Sequence, residues 1–207
     1  MARKLRYGRG VSGLRERKKQ QTQEALSWAA VRLTVERGFG QVLVEDIAAA
    51  AGVSPRTFNN YFSSKAEAIA WRNLNRGRQV ADQLRKRPRD EPLWESITEA
   101  LLTQYDAGEP DPQWTAGVRV MLTDPALTGE YLKTHVAVER EWAAAVAERT
   151  GAEPTDLYPQ LVATAMGAAH RVATEQWLQA DPPVPLAQLI RETLRQIAAG
   201  LPDPSAQ

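Results

Sequence analysis

Apolar residues recur along the chain at the spacing of a helix and almost nowhere at the spacing of a strand. One helical face, with the spacing i, i+3, i+4 and i+7, is occupied by Leu26, Ala29, Ala30 and Leu33. Because Gly38 is a typical helix terminator, we expect a long first helix from about residue 13 or 14 to residue 37. No segment alternates with period two over any length, so the fold class predicted is all-α.

Start and stop signals divide the chain into about nine helices. A short second helix ends at Gly52, and a third begins with Ser54 as its N-cap and Pro55 at its first helical position. The third helix is expected to end near Phe62, and Ser63 or Ser64 caps the start of a fourth. Beyond residue 88 the Pro-rich breaks leave room for five further helices, the last two near 156–179 and 186–199.

The third predicted helix has an apolar side and a side rich in hydrogen-bonding groups. Phe58 and Phe62 stand at i and i+4 and face the core together. The polar side chains then point outward, and Arg and Asn are the residue types that read guanine and adenine edges in the major groove. With the small residues of the second helix, this segment predicts a helix-turn-helix, although the same polar groups could form an ordinary solvated surface.

Charge divides the chain at the same point as proline does. Residues 1–89 hold 19 basic and 7 acidic residues, a net charge of +12, whereas residues 90–207 have a net charge of −11. A basic half attracts polyphosphate, which supports DNA as its partner. We expect contacts with double-stranded DNA from the basic N-terminal segment, the third helix and the start of the fourth: Arg17, Lys18, Ser54, Arg56, Thr57, Asn59, Asn60, Tyr61 and Lys65.

The stretch DIAAAAGVSPRTFNNYFSSK, residues 46–65, resembles the DNA-binding domain of the TetR family of bacterial regulators. The resemblance implies a homodimer on a palindromic operator, with a C-terminal domain for ligand binding and dimerisation. Two departures are visible: Leu43 replaces a threonine that often caps the second helix and touches phosphate, and Arg56 and Asn59 replace a glycine and a tyrosine. The expected divisions are a flexible arm at 1–13, the DNA-binding domain at 14–65, a connecting helix at 66–87, the C-terminal domain at 88–200 and a tail at 201–207.

The C-terminal half carries the candidates for an effector site. The large apolar residues that could line a pocket, rather than simply fill a core, are Trp94, Trp114, Val118, Met121, Leu122, Tyr131, Trp142 and Met166. His135 and His170 are expected to be ordinary core or surface residues. The segment WTAGVRVMLTDPAL at 114–127 is similar to a TetR subgroup that includes the mycofactocin regulator, which implies an acyl-CoA-like ligand. The acidic charge of this half argues against CoA phosphates and leaves an uncharged or cationic hydrophobic effector open.

Other functions are poorly supported. The chain has no cysteine and none of the common hydrolase or P-loop motifs, so we expect no catalytic residues, metal or cofactor. GRGVSG at 8–13 satisfies a dinucleotide-binding spacing but follows no buried strand. No apolar run reaches membrane-spanning or signal-peptide length, so the expected location is cytoplasmic. The leading hypothesis is a repressor released by a small hydrophobic effector, dimerising through the last two helices; the alternative is a DNA-binding regulator controlled by a protein partner.

Overall fold

A computed structural model describes residues 9–105, 112–181 and 183–203, with side chains from Arg15 onward. Within these residues there are nine α-helices and no strand, which confirms the all-α expectation. The helices are α1 (Arg9–Arg37), α2 (Val44–Ala50), α3 (Pro55–Asn59), α4 (Lys65–Lys86), α5 (Leu93–Leu102), α6 (Pro112–Thr123), α7 (Thr128–Thr150), α8 (Leu157–Gln179) and α9 (Leu186–Ala198). None of the helices described has the length and apolarity needed to span a membrane.

Two boundaries differ from the sequence prediction. The helical backbone of α1 begins at Arg9, so the segment at 9–13 that we expected to belong to a flexible arm continues the first helix. Residues 1–8 of that arm and residues 204–207 of the tail lie outside the described part. At the other boundary, α3 ends at Asn59, because the Tyr61 N–H bonds to the carbonyl of Phe58 and turns the chain before Phe62.

The N-terminal helices close around one apolar cluster. Phe58 and Phe62 are both buried, with ring centroids 5.7 Å apart, and they pack with Ile47 of α2 and Leu26 of α1. The Ser54 hydroxyl accepts a hydrogen bond from the Thr57 N–H at 3.1 Å and so caps α3 as predicted. The turn before it depends on a glycine, since Gly52 has φ +69°.

A second apolar cluster holds the C-terminal helices together, and the approach of α4 to α7 lies at its centre. At Gly77 a Cβ atom would stand 2.6 Å from both Cγ atoms of Val138, so only glycine allows this spacing. The Trp142 indole N–H donates to the Gly77 carbonyl at 2.9 Å in a buried position. A third helix, α8, packs on α7, and α9 packs on α8 and α5.

Two helices belong to both clusters. The N-terminal part of α4 packs in the first cluster through Ile69, and its later part packs in the second through Val80 and Leu84. Likewise α6 contributes Trp114 to the second cluster and Met121 to the first. The N-terminal helical unit and the C-terminal domain are therefore connected through packed helices as well as through the chain.

Ion pairs follow the α4–α7 contact on its solvent side. Arg78 Nε donates to Glu141 Oε1 at 3.0 Å, and Arg85 Nε donates to Glu148 Oε1 at 3.0 Å. Each exposed pair stabilises the fold by about 0–1 kcal/mol. Part of the positive charge of α4 is thus paired with glutamates of α7 at the surface of the fold.

We predict that Gly77→Val lowers the free energy of unfolding by about 1–3 kcal/mol, because the added methyl groups overpack the contact with Val138. The measurement is chemical denaturation, with Gly129→Val as the control, since a Cβ atom at Gly129 meets nothing within 4 Å. Val138→Ala in the Gly77→Val background should recover part of the loss. Equal losses in the Gly77 and Gly129 variants would contradict the packing explanation.

Candidate DNA-binding and effector sites

The polar side of α3 is open to solvent. Arg56, Asn59 and Asn60 are exposed, while Thr57 and Tyr61 are half-buried at the edges of the same surface. The burial of Phe58 and Phe62 fixes this orientation, because the opposite side of so short a helix must face away from the core. The three exposed side chains can reach a ligand outside the protein without any rearrangement of the core.

Other predicted DNA contacts have partners within the fold. The Ser54 and Thr57 hydroxyls lie 2.9 Å apart and share a hydrogen bond. The Lys65 ammonium donates to the carbonyl oxygens of Phe39 at 2.6 Å and Val42 at 2.8 Å, and it lies 4.3 Å from the Phe39 ring centroid. Lys65 therefore fastens the start of α4 to the turn before α2, a structural role that the sequence did not indicate. Arg17 and Lys18 are exposed on α1.

The start of α2 shows how the fold accommodates Leu43. This side chain is 59% exposed and offers no hydrogen bond to the helix end. The Asp46 carboxylate instead accepts from the Leu43 N–H at 3.1 Å, and Arg37 Nη1 stands 3.7 Å from the same carboxylate. The first turn of α2 is thus capped by the Asp46 side chain alone. The exposed Leu43 side chain has no hydroxyl and cannot donate a hydrogen bond to a phosphate.

A cavity of about 100 Å³ lies in the C-terminal domain, between α4, α6, α7 and α8 and the end of α5. Since each water takes up roughly 30 Å³ in the liquid, the space corresponds to roughly three waters. Six of the eight residues predicted to line a pocket do so: Trp114, Val118, Met121, Leu122, Tyr131 and Trp142. The predictions for Trp94 and Met166 are wrong, because Trp94 packs against the outside of the core and Met166 is fully buried within it.

Polar groups interrupt the apolar wall at a few places. Both histidines line the cavity, contrary to the expectation that they are ordinary core or surface residues. The His170 Nε2 lies 2.7 Å from the Tyr105 hydroxyl, and His135 stacks on Tyr131 with ring centroids 5.8 Å apart. From α4, Arg76 lines the wall and lies over the Trp114 ring, 4.4 Å from its centroid.

The cavity residues from α4 are among those missing from the predicted pocket residues. They are Asn73, Arg76, Gly77 and Val80, which stand at i, i+3, i+4 and i+7. This helical spacing could have identified them as one face. Counting α4 as a connector between two domains concealed their role in the wall.

Desolvation favours the neutral form of three groups in the cavity wall, His170, Tyr105 and Tyr131. Burial lowers the pKa of His170 to about 4, with smaller contributions in the same direction from His135 and Arg76. Burial raises the pKa of Tyr105 to about 12, opposed by the charge of Arg76. Burial also raises the pKa of Tyr131. At neutral pH the Tyr105–His170 pair is therefore an uncharged hydrogen-bonding group.

In a comparison with known proteins, one family model matches the part of the chain that contains α3 and a second matches most of the C-terminal domain. The model for bacterial regulatory proteins of the TetR family matches residues 28–69, which contain α2, α3 and the start of α4. The model named MftR C-terminal domain matches residues 91–202, from just before α5 to the end of α9. The chain belongs to the TetR family.

Curated TetR relatives extend over most of the chain. The mycofactocin biosynthesis transcriptional regulator MftR of Mycobacterium tuberculosis is 30% identical over 190 residues, covering 89% of this chain and 93% of the relative. The HTH-type transcriptional regulator TcmR of Streptomyces glaucescens is 30% identical over 178 residues, covering 82% of this chain and 79% of the relative. These relatives are transcriptional regulators, which confirms that the protein is a regulator and not an enzyme.

Solved TetR-type structures have the same fold at low identity. The SmeT–triclosan complex has a TM-score of 0.60 and 16% identity, covering 88% of this chain and 98% of that chain. SmeT is described as the repressor of a multidrug efflux pump of Stenotrophomonas maltophilia. The fatty acid degradation regulator FadR from Bacillus halodurans has a TM-score of 0.58 and 19% identity, covering 87% of this chain and 96% of that chain.

We predict that His170 makes this TetR protein less stable in mild acid. In the folded protein the pKa of His170 is about 4, below its ordinary value of 6.5. As the pH falls through 6.5, His170 therefore takes up a proton in the unfolded chain but stays neutral in the folded protein. The free energy of unfolding should fall by up to about 2 kcal/mol between about pH 7.5 and about pH 5 from this group. In His170→Gln that component disappears; identical pH profiles of denaturation in the two proteins would refute it.

Proposed function

We propose that the protein is a dimeric, ligand-responsive repressor that leaves a palindromic operator when a small hydrophobic effector occupies the C-terminal cavity. The observation that carries this proposal is the double role of α6, which forms one wall of the cavity and also packs against α1 of the DNA-binding unit. A cytoplasmic location would follow from action on the chromosome.

On the DNA side, the exposed face of α3 is the proposed reading surface. Arg56 and Asn59 would contact base edges, since both side chains are exposed. Arginine can donate to guanine O6 and N7, and asparagine can donate to adenine N7 and accept from adenine N6. Asn60, Thr57, Tyr61 and Ser54 would fix the position of the helix through phosphates, as would Arg17 and Lys18 of α1. We leave Lys65 out of this set, because its ammonium is bound by two backbone carbonyls.

The proposed dimer interface is formed by α8 and α9. At the start of α8, Leu157, Tyr158 and Leu161 are 75%, 54% and 58% exposed, an unusual concentration of apolar surface. Farther along the helix, Thr164 is exposed and Ala168 is half-buried, and such small residues let a second helix approach closely. A four-helix arrangement of two α8–α9 pairs would cover this surface and place two recognition helices on one duplex.

The proposed release mechanism passes through α6. At Gly117 a Cβ atom would stand 2.5 Å from Val31 Cγ1, so the backbone of α6 lies directly against the Val31 side chain of α1 there. Beside this contact is a space of about 20 Å³ between α1, α4 and α6, bordered by Trp28, Arg72 and Gly117. An effector that binds better when α6 has moved into this space would shift the population toward a form with misplaced recognition helices.

The cavity also favours a small-molecule effector over control by a protein partner alone. A regulator governed only through its surface would need no internal space of this size, and its core would be filled to ordinary density. Most of the wall is apolar, with few polar groups, as in other small-molecule sites.

We predict that Arg56→Ala and Asn59→Ala each weaken binding to the selected operator by about 1–3 kcal/mol and have little effect on random DNA, because base contacts carry specificity. Binding would be measured by fluorescence anisotropy at fixed salt. Arg140→Ala is the control, since it removes one exposed arginine from α7, outside both the proposed reading surface and the proposed dimer interface. An equal loss on operator and random DNA would mean that these side chains contact only the backbone.

The experiment that tests the whole proposal is DNA selection with the purified protein, followed by a release screen with hydrophobic compounds. We expect an enriched palindrome and at least one compound that releases it. Val118→Trp, which fills the cavity, should still bind the palindrome but no longer respond, and Leu122→Trp is a second filling variant. Val136→Trp, at an exposed position on α7 outside the cavity wall, is the matched control. An enriched sequence without symmetry would contradict the dimer, and a response that survives filling would contradict the cavity as the effector site.

A further inference from the structure

Arg76 is a positively charged group in the cavity wall for which the described residues supply no counter-ion. Its guanidinium lies over the Trp114 ring, and its Nη1 atom is shielded from solvent without a hydrogen-bond partner. No carboxylate among the described residues stands within ion-pair distance of it. Arg76 as a whole is half-buried, but a shielded donor of a charged group without a partner is costly, and an acceptor that enters the cavity would relieve the cost.

We infer that the effector is a compact aromatic or similarly apolar acid whose single anionic group is bound by Arg76. This inference rests on the proposed function, because it names the chemical class that the effector cavity takes. It departs from the sequence-based expectations of an acyl-CoA-like ligand or of an uncharged or cationic one.

The charges around the cavity support an anion. Within the part of the chain that the structure describes, no Asp or Glu lines the wall, although the surrounding half of the chain has a net charge of −11. The second arginine in the wall, Arg171, pairs with Glu175 at 3.0 Å, so its charge is already balanced. His170 and Tyr105 are neutral at physiological pH. The unbalanced charge that a ligand meets is therefore that of Arg76.

The state of Arg76 itself is consistent with this role. Burial lowers the pKa of its guanidinium, and Tyr105 acts in the opposite direction. An arginine nevertheless stays protonated in proteins, so the group presents a permanent cation. Its planar fork suits two parallel hydrogen bonds to a carboxylate, which are stronger than bonds to a neutral acceptor.

The rest of the wall limits the size and shape of the acid. Trp114, Tyr131 and Trp142 offer flat aromatic surfaces, and the space of about 100 Å³ suits a body no larger than about one aromatic ring. The Tyr105–His170 pair offers a second, neutral hydrogen-bonding point. One unbalanced cation matches one acid group, whereas the head group of an acyl-CoA would bring several phosphates.

The test uses two probes of one shape, benzoate and benzamide, titrated into the full-length protein by calorimetry. We expect the wild-type protein to bind the acid on the order of ten- to a hundredfold more tightly than the amide, as a charge-assisted hydrogen bond implies. In Arg76→Met the preference should vanish while binding of the amide persists, and Arg76→Lys should retain part of it. Arg78→Met is the control, because Arg78 is on the same helix but points to solvent and pairs with Glu141; it should keep the full preference.

Three results would overturn the inference: equal binding of acid and amide by the wild type, an acid preference that survives Arg76→Met, or binding of neither probe. Thermal denaturation of each variant shows whether it is folded, and the amide reports whether its cavity is intact. Failure here is distinct from failure of the proposed function. If the amide binds and releases the operator as well as the acid does, the effector cavity stands and only the anionic class is wrong. If neither probe binds, the release screen with Val118→Trp decides the proposed function separately.

Discussion

The close contact of α4 with α7 at Gly77 is the constraint on which the rest of the molecule depends. Only a residue without a Cβ atom lets the two helices approach until Val138 meets the backbone, and the Trp142 indole then reaches the Gly77 carbonyl. This spacing positions Trp142 and Val138 as part of the cavity wall and turns the next face of α4, with Arg76, toward the same space. The close contact of α4 with α7 therefore also forms part of the cavity wall.

The second consequence is mechanical. Because α4 and α6 each contribute side chains to both apolar clusters, a displacement of either helix would disturb the packing of the N-terminal unit. Close packing transmits displacement, since interiors of ordinary density have little room to absorb it. The small space between α1, α4 and α6 is a place where the packing is looser, and it borders the contact at Gly117. In the proposed mechanism, a shift of α6 would therefore be passed on to α1 through their contact, and the small space beside Gly117 would accommodate it.

Charge in this protein acts at two scales. Over the whole chain, a basic half and an acidic half suit a DNA-binding unit joined to a solvated domain. Locally, the arginines of α4 are divided among different tasks: Arg78 and Arg85 pair with α7 at the surface, while Arg76 enters the cavity wall. The net charge of a domain was a poor guide to its pocket, because a few side chains at short range outweigh many screened charges on the surface.

The sequence by itself determined the elements built from local signals. The Ser54 cap, Pro55, the turn at Gly52 and the Phe58–Phe62 pair act over a few residues, so they determined where α3 starts and which of its faces is exposed. Only the tertiary structure decided which apolar residues surround a space and which fill a core, as the opposite outcomes for Trp114 and Met166 show. It also decided that Lys65 binds carbonyls and that Arg76 and His170 face the cavity. These outcomes depend on contacts between helices distant in sequence, and the distance between two helices is set by a residue such as Gly77, whose partner no local pattern names.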